Sequence, residues 1–247
     1  MDAILYTAMN GARQTLDEQA VVTHNLSNAS TTGFRAQLAA ARAVPIQGPG
    51  VFDTRVTAVT TTGLFDTRAG ALQTTGRDLD IAMAEPNWLA VQTADGEAYT
   101  KRGDLQVDAD GQLMVNGRPV LGQGGPIMLP LGTEISIGSD GTISGIGLGG
   151  KANELVPLDR LKLVRVDQPN QLERGDDGWF RSPTGAALAQ DEDGQVIAGA
   201  LESSNVNAIE AMVAMIDTQR RYDLNMRVIS TADETAKSGN SLLSVKG

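Results

Sequence analysis

Leu26-Ser27-Asn28-Ala29-Ser30-Thr31-Thr32-Gly33-Phe34-Arg35 marks the point at which the periodicity of the chain changes, and the fold class follows from what stands on either side. Upstream, from Asp2 to about Ser27, Leu5, Met9, Ala12, Leu16 and Leu26 recur in steps of four and three, with Gln19 and Thr23 at the polar gaps. That spacing predicts an amphipathic helix with a thin apolar stripe. The turn formers Ser27 to Gly33 then predict its end.

Downstream, from Phe34 to about Asn205, the period shortens to β-like runs such as Val56-Thr57-Ala58-Val59, Trp88-Leu89-Ala90-Val91 and Leu161-Lys162-Leu163-Val164-Arg165-Val166. Asp95-Gly96, Asp110-Gly111, Asp140-Gly141 and Asp193-Gly194 predict four hairpins and hence a mainly antiparallel sheet. Gly103 to Leu113 and Gly185 to Val196 both read as strand, acidic turn, strand, the pattern of a repeated hairpin. The Gly-rich piece 138–150 reads as a flexible surface loop.

After Asn205 the helical period returns at Ile209, Met212, Val213, Ile216, Met226, Ile229, Ala232 and Ala236. Ser203, Ser204 or Asn205 is the expected N-cap, the helix is expected to reach about Lys237, and Gly239 fits just beyond it. The reading is therefore α+β, with a helical arm over 1–32, a β-rich central domain over 33–205 and a second arm over 206–247 paired with the first like a coiled coil. Such narrow stripes bury little on a sheet, so the helices are expected to pack on each other and on neighbouring copies. Gln19, Thr23, Gln219 and Asp223 would weaken the monomeric pair and fix register in a polymer, leaving the termini mobile in the free subunit.

Composition narrows the function. A formal net charge of −10 with no basic run opposes nucleic-acid binding. With 41% hydrophobic residues a core can form, while 4% aromatic residues and 28 glycines describe an aliphatic core with many turns. The absence of cysteine excludes disulfides and thiolate metal sites. No apolar run approaches the roughly 20 residues of a membrane helix, so no membrane insertion is expected. Met1-Asp2-Ala3-Ile4-Leu5-Tyr6 lacks the basic start of a cleavable signal peptide.

Motifs for chemistry are weak. Asp108-Ala109-Asp110-Gly111 and Asp191-Glu192-Asp193-Gly194 begin like calcium loops but lack the rest of the spacing, so they read as turns. His24 is the single histidine, which excludes histidine metal clusters, and no nucleophile turn accompanies it. Arg102-Gly103-Asp104 reads as a turn rather than an adhesion signal. Glu210 and Asp217 are candidate ion-pair partners of Arg220-Arg221. No catalytic, metal or cofactor site is assigned, and the chain is read as a non-enzyme.

The turn segment, with Asn25, Leu26, Asn28, Thr32, Gly33 and Phe34, resembles the N-terminal signature of the flagellar rod and hook axial proteins. Ser204, Asn205, Val206, Gln219, Arg220, Tyr222 and Asn225 resemble the same family's C-terminal signature. Thr75-Gly76-Arg77-Asp78-Leu79-Asp80 and Tyr99-Thr100-Lys101-Arg102-Gly103-Asp104 look like its central core. Where relatives carry a Gly-x-Gly, this chain has Ala84-Glu85-Pro86-Asn87, which leaves the turn before Trp88 open. The short link from Ala43 to Thr61 and the Thr-Gly-Arg-Asp-Leu-Asp wording are similar to the proximal-rod branch; a distal-rod or other axial paralogue is the alternative.

The resemblance implies a structural subunit of the basal-body rod, exported by the flagellar type III apparatus without a cleavable signal and polymerising across the periplasm. Its partners would be copies of itself and the other rod proteins, with no cofactor. Leu5, Met9, Ala12, Leu16, Leu26, Ile209, Met212, Val213, Ile216, Met226 and Ile229 would form the assembly interface. A surface binding module or a secreted hydrolase with paired carboxylates are the readings from other classes.

Overall fold

The computed structural model describes residues 2–45, 56–146, 156–175 and 177–244. Helices lie at both ends, α1 (Asp2–Ser27) and α2 (Ala208–Ser244), and the middle is a mainly antiparallel β region. The chain divides into two compact units. One comprises 1–27, 37–62 and 207–247; the other comprises 28–36 and 63–206.

In the helical unit, α1 and α2 lie side by side with strand β1 (Gln37–Pro45), which pairs with β2 (Val56–Phe65). The Gln19–Gln219 hydrogen bond, the approach of Gly11 to Asn225 and the placing of Ile4 and Val228 along one groove make the helices antiparallel. Asn25 holds the start of β1 in both directions: its Nδ2 donates to the Gln37 carbonyl and its Oδ1 accepts from the Gln37 amide, each at 2.8 Å. An asparagine here does the work of a neighbouring strand, satisfying two backbone groups that would otherwise lack a partner.

The β unit continues with β3 (Leu72–Thr74), β4 (Ile81–Met83), β5 (Asn87–Thr93), β6 (Gly96–Thr100), β7 (Leu105–Val107) and β8 (Leu113–Val115). Its main sheet runs in the order Leu163–Arg165, β5, β6, Phe180–Arg181, Glu173–Arg174. Because successive side chains alternate faces, Leu89 and Val91 of β5 enter a large aliphatic core, while Trp88 and Ala90 enter a second one with Tyr99 and Leu172. Phe65, Trp88 and Phe180 meet edge to face there, with ring centroids 4.7–5.7 Å apart. Four aromatic residues, Phe65, Trp88, Tyr99 and Phe180, thus share this second cluster, while Trp179 lies in the aliphatic one.

Three of the four expected Asp-Gly hairpins form, joining β5 to β6, β7 to β8, and Glu134–Ile137 to Thr142–Ile146. Asp193-Gly194 forms none, since Gln190 bridges Val164 while Val196–Ala198 pairs with β4, so the flanking segments have different partners. For the same reason the stretch 185–196 does not repeat the hairpin of 103–113. A further turn arises at Asn116-Gly117, where φ values of 47° and 72° link β8 to Arg118–Pro119 in the left-handed geometry this pair favours. The piece expected as a loop over 138–150 contains the strand Thr142–Ile146, and 147–150 lie outside the described residues.

Both ends of α2 differ from expectation. Asn207 is the cap: its Oδ1 accepts from the Ile209 amide at 3.0 Å and the Glu210 amide at 3.4 Å, so Ser203, Ser204 and Asn205 are left for other work. The helix also continues through Gly239 to Ser244 instead of stopping near Lys237. Glycine lowers helix propensity by only about 1 kcal/mol, which does not end a long helix.

Candidate assembly surface

On α1 the buried or half-buried positions Leu5, Ala8, Ala12, Thr15, Gln19, Val22 and Leu26 alternate steps of three and four. On α2 the corresponding set is Ala208, Ala211, Met215, Thr218, Tyr222, Asn225, Ile229, Ala232 and Ala236. Small side chains, Ala8, Ala12 and Thr15 on α1 and Ala208, Ala211, Thr218, Ala232 and Ala236 on α2, let the helices approach closely; a Cβ on Gly11 would lie 3.0 Å from Asn225 Oδ1. Polar groups bridge the pair through a Gln19 to Gln219 hydrogen bond of 3.3 Å and an Arg221 to Glu18 ion pair of 2.5 Å. The partner of Arg221 is therefore across the pair and is neither Glu210 nor Asp217.

The expected apolar stripe divides accordingly. Leu5, Ala12 and Leu26 lie in the partly buried row of α1, whereas Met9 and Leu16 are turned about 100° away and stand exposed. On α2 only Ile229 is half-buried; Ile209, Met212, Val213, Ile216 and Met226 are exposed, Ile209 by 73%. Ile4, Tyr6, Leu224 and Val228 join them outside. An apolar groove lined by Ile4, Leu224, Val228, Thr231 and Ala232, with Arg227 at its rim, encloses about 420 Å³. Large apolar side chains gathered on the outside of a helix pair mark a surface made to be covered.

The family-signature residues fall into two places. Asn25, Leu26, Gln219, Tyr222 and Asn225 lie on the helices, where Arg220 is exposed. Asn28, Thr32, Gly33, Phe34, Ser204, Asn205 and Val206 lie in the β unit, where they build a tightly bonded crossing. Gly33 has φ +64°, donates to the Glu202 carbonyl at 2.7 Å, and passes so near the Lys101 backbone that a Cβ would sit 2.3 Å from it. Asn205 uses every side-chain direction: Oδ1 accepts from the Ala36 amide at 2.7 Å, and Nδ2 donates to the Asp66 and Arg68 carbonyls at 3.1 and 2.9 Å.

Beneath this crossing lies a charged network that sequence reading did not single out. Arg35, fully buried, pairs with Glu202 at 3.0 Å, and also with Glu85 and the Arg68 carbonyl. Lys101, also fully buried, pairs with Glu85 at 3.0 Å, and both cations face the Trp88 ring. Burial pushes the Lys101 ammonium below its ordinary value, with Glu85 opposing; burial likewise pushes Glu202 up against the pull of Arg35. The cis Glu85–Pro86 peptide belongs to the turn before Trp88, closed by the Asn87 amide on the Ala84 carbonyl at 2.8 Å. The recurrence of acids and bases among the signature words was the available signal, but sequence spacing does not reveal which of them converge.

The remaining motifs are structural. Asp108 Oδ1 accepts from the Asp110 and Gln112 amides, closing its own turn. Arg102 and Asp104 pair with each other at 2.7 Å, and Gly103 is pressed against the Ile81 carbonyl, so this tripeptide is engaged within the chain. Burial raises the Asp104 carboxyl, but the hydrogen bonds and charge of Arg102 outweigh it and hold the group below the usual carboxylate range. His24 is half-buried on α1. Among the described residues no helix is long and apolar enough to cross a membrane.

Comparison with known proteins places these surfaces in context. Residues 5–35 match the family model "Flagella basal body rod protein", 82–145 match "Flagellar hook protein FlgE/F/G D1 domain", and 197–242 match "Flagellar basal body rod FlgEFG protein C-terminal". The chain is 48% identical to the flagellar basal-body rod protein FlgF of Escherichia coli over 99% of its own length and 100% of the relative's. Identity to the FlgF of Salmonella typhimurium is 46% with the same coverage. The distal-rod alternative is less favoured: the rod protein FlgG of Bacillus subtilis is 29% identical over 93% of this chain and 95% of the relative. With close relatives along its whole length and family matches at both helical ends and in the β unit between them, this chain belongs to the flagellar basal-body rod protein family and is of the FlgF type.

Proposed function

We propose that this structural rod subunit, which is not an enzyme, polymerises through the outer faces of its two terminal helices. The observation that carries this reading is the exposure of Met9, Leu16, Ile209, Met212, Val213 and Ile216 while small residues fill the row between the helices. Threes and fours sustained along both rows are the spacing of a coiled-coil pair. That pairing uses up the small faces and leaves the bulky ones for neighbours. The arms 1–32 and 206–247 act as one assembly element, and the β-rich part between them forms an outer layer.

In this reading, neighbours are copies of the chain and other rod proteins, arranged by head-to-tail contacts that do not close. The subunit is delivered by the flagellar type III export apparatus and works in the rod as it crosses the periplasm. Torque is carried by many buried contacts, and no cofactor takes part. Covering a half-exposed Leu, Ile or Met side chain contributes about 1–2 kcal/mol against an association cost of roughly 4–15 kcal/mol, so many of them must be covered together to hold a polymer.

The double substitution Met212→Asp/Ile216→Asp tests this reading. Both positions are exposed, so the isolated subunit should stay folded within about 0.5 kcal/mol per site. Swimming of a complemented null strain should be abolished, with no rod in isolated basal bodies. Wild-type swimming with this variant would refute the assignment of the surface.

A further inference from the structure

Arg35, Glu202, Lys101 and Glu85 lie beneath the crossing where the chain passes through Gly33–Ala36 and again through Glu202–Val206. They add charge at the edge of a core that is already apolar: the Trp88 ring they face belongs to one of the two apolar clusters of the β unit. Replacing a buried ion pair by apolar groups of similar size is often neutral or stabilising, so a buried pair is weak ground for a stability role. What a fork of charge-assisted hydrogen bonds adds is direction, because it holds its partners at one register where an apolar contact tolerates sliding.

The partners here are all crossing segments. Arg35 donates to the Arg68 carbonyl and the Glu85 carboxylate and forms an ion pair with Glu202 at 3.0 Å; Glu202 Oε1 accepts from the Gly70 amide at 2.7 Å; the Asn205 amide donates to the Phe34 carbonyl at 3.2 Å. Segments 33–36, 66–70 and 202–205 are thereby tied into one knot on the Trp88 face.

We propose that the Arg35–Glu202 pair, seated on Lys101 and Glu85, is a positioning element that fixes the register of the crossing segments so that force passes through them without slip. The mechanical consequence rests on the rod reading; the local rigidity does not. Arg35→Met/Glu202→Gln removes one charge of each sign, leaves Lys101 paired with Glu85, and keeps an acceptor for Gly70.

Amide hydrogen exchange of the purified variant should quicken at least tenfold at Gly33, Ala36 and Gly70, while Leu89 and Leu113 exchange as in the wild type. The melting temperature should stay near the wild-type value, and swimming of the complemented strain should fall. Arg35→Lys, which keeps the charge and loses the fork, should show the same local quickening. Native exchange at the three glycine and alanine amides, or normal swimming despite quickened exchange, overturns the proposal. Global unfolding of both variants also overturns it, by making the network a stability element. Failure of the rod reading would appear separately, as normal swimming in Met212→Asp/Ile216→Asp, which leaves this network intact.

Discussion

At the scale of single residues, two positions show how little tolerance the crossing has. Gly33→Ala forces a Cβ into the left-handed region, costing about 1–2 kcal/mol before any clash is counted. The new atom would also lie 2.3 Å from the Lys101 carbonyl, so the loss measured by denaturant titration should exceed that figure. Asp104 gives a pH prediction. Its carboxyl is held below the usual range by Arg102, so its contribution to stability is present above the ordinary carboxylate value and lost as pH falls through the depressed one. Asp104→Asn should therefore flatten the decline of melting temperature as pH falls below the ordinary carboxylate value of about 4. Glu202, raised by burial, contributes with the opposite sign and at higher pH, adding stability as pH falls from its raised value to the ordinary one, above the window of Asp104.

Elements were legible where periodicity alone decides them. The bounds of α1, the strands around Trp88 and Leu163, and three Asp-Gly hairpins follow from local spacing. The fourth hairpin failed because pairing partners are chosen by the whole sheet, and Val196–Ala198 finds β4 instead of its sequence neighbour. The stripe of α1 divides for a related reason. Spacing alone put Met9 and Leu16 in one row with Leu5, Ala12 and Leu26, whereas the pair closes on Ala8, Ala12 and Thr15, which allow close approach, and Met9 and Leu16 stand exposed. Gly11 sits in that contact against Asn225, so Gly11→Leu should prise the helices apart. Far-UV circular dichroism should then show an early helical melting phase while the β unit melts as before; a single unchanged transition would count against this packing.

At the scale of the molecule, the two terminal sequences build both the helix pair and the crossing in the β unit, and an exposed apolar face remains on the helices. The signature words were visible in the sequence. The charged knot beneath Gly33 was not, because Arg35, Glu85, Lys101 and Glu202 are distant in the chain and only folding brings them together. In the assembled rod the outer helix faces should be covered by other axial subunits. Photo-crosslinking in assembled basal bodies tests it most directly, with the crosslinker placed in turn at exposed Ile216 and at buried Thr218. The probe at 216 should capture another rod subunit, while the probe at 218 should react only within its own chain. Purely intramolecular products from position 216 in rods that have formed would contradict it.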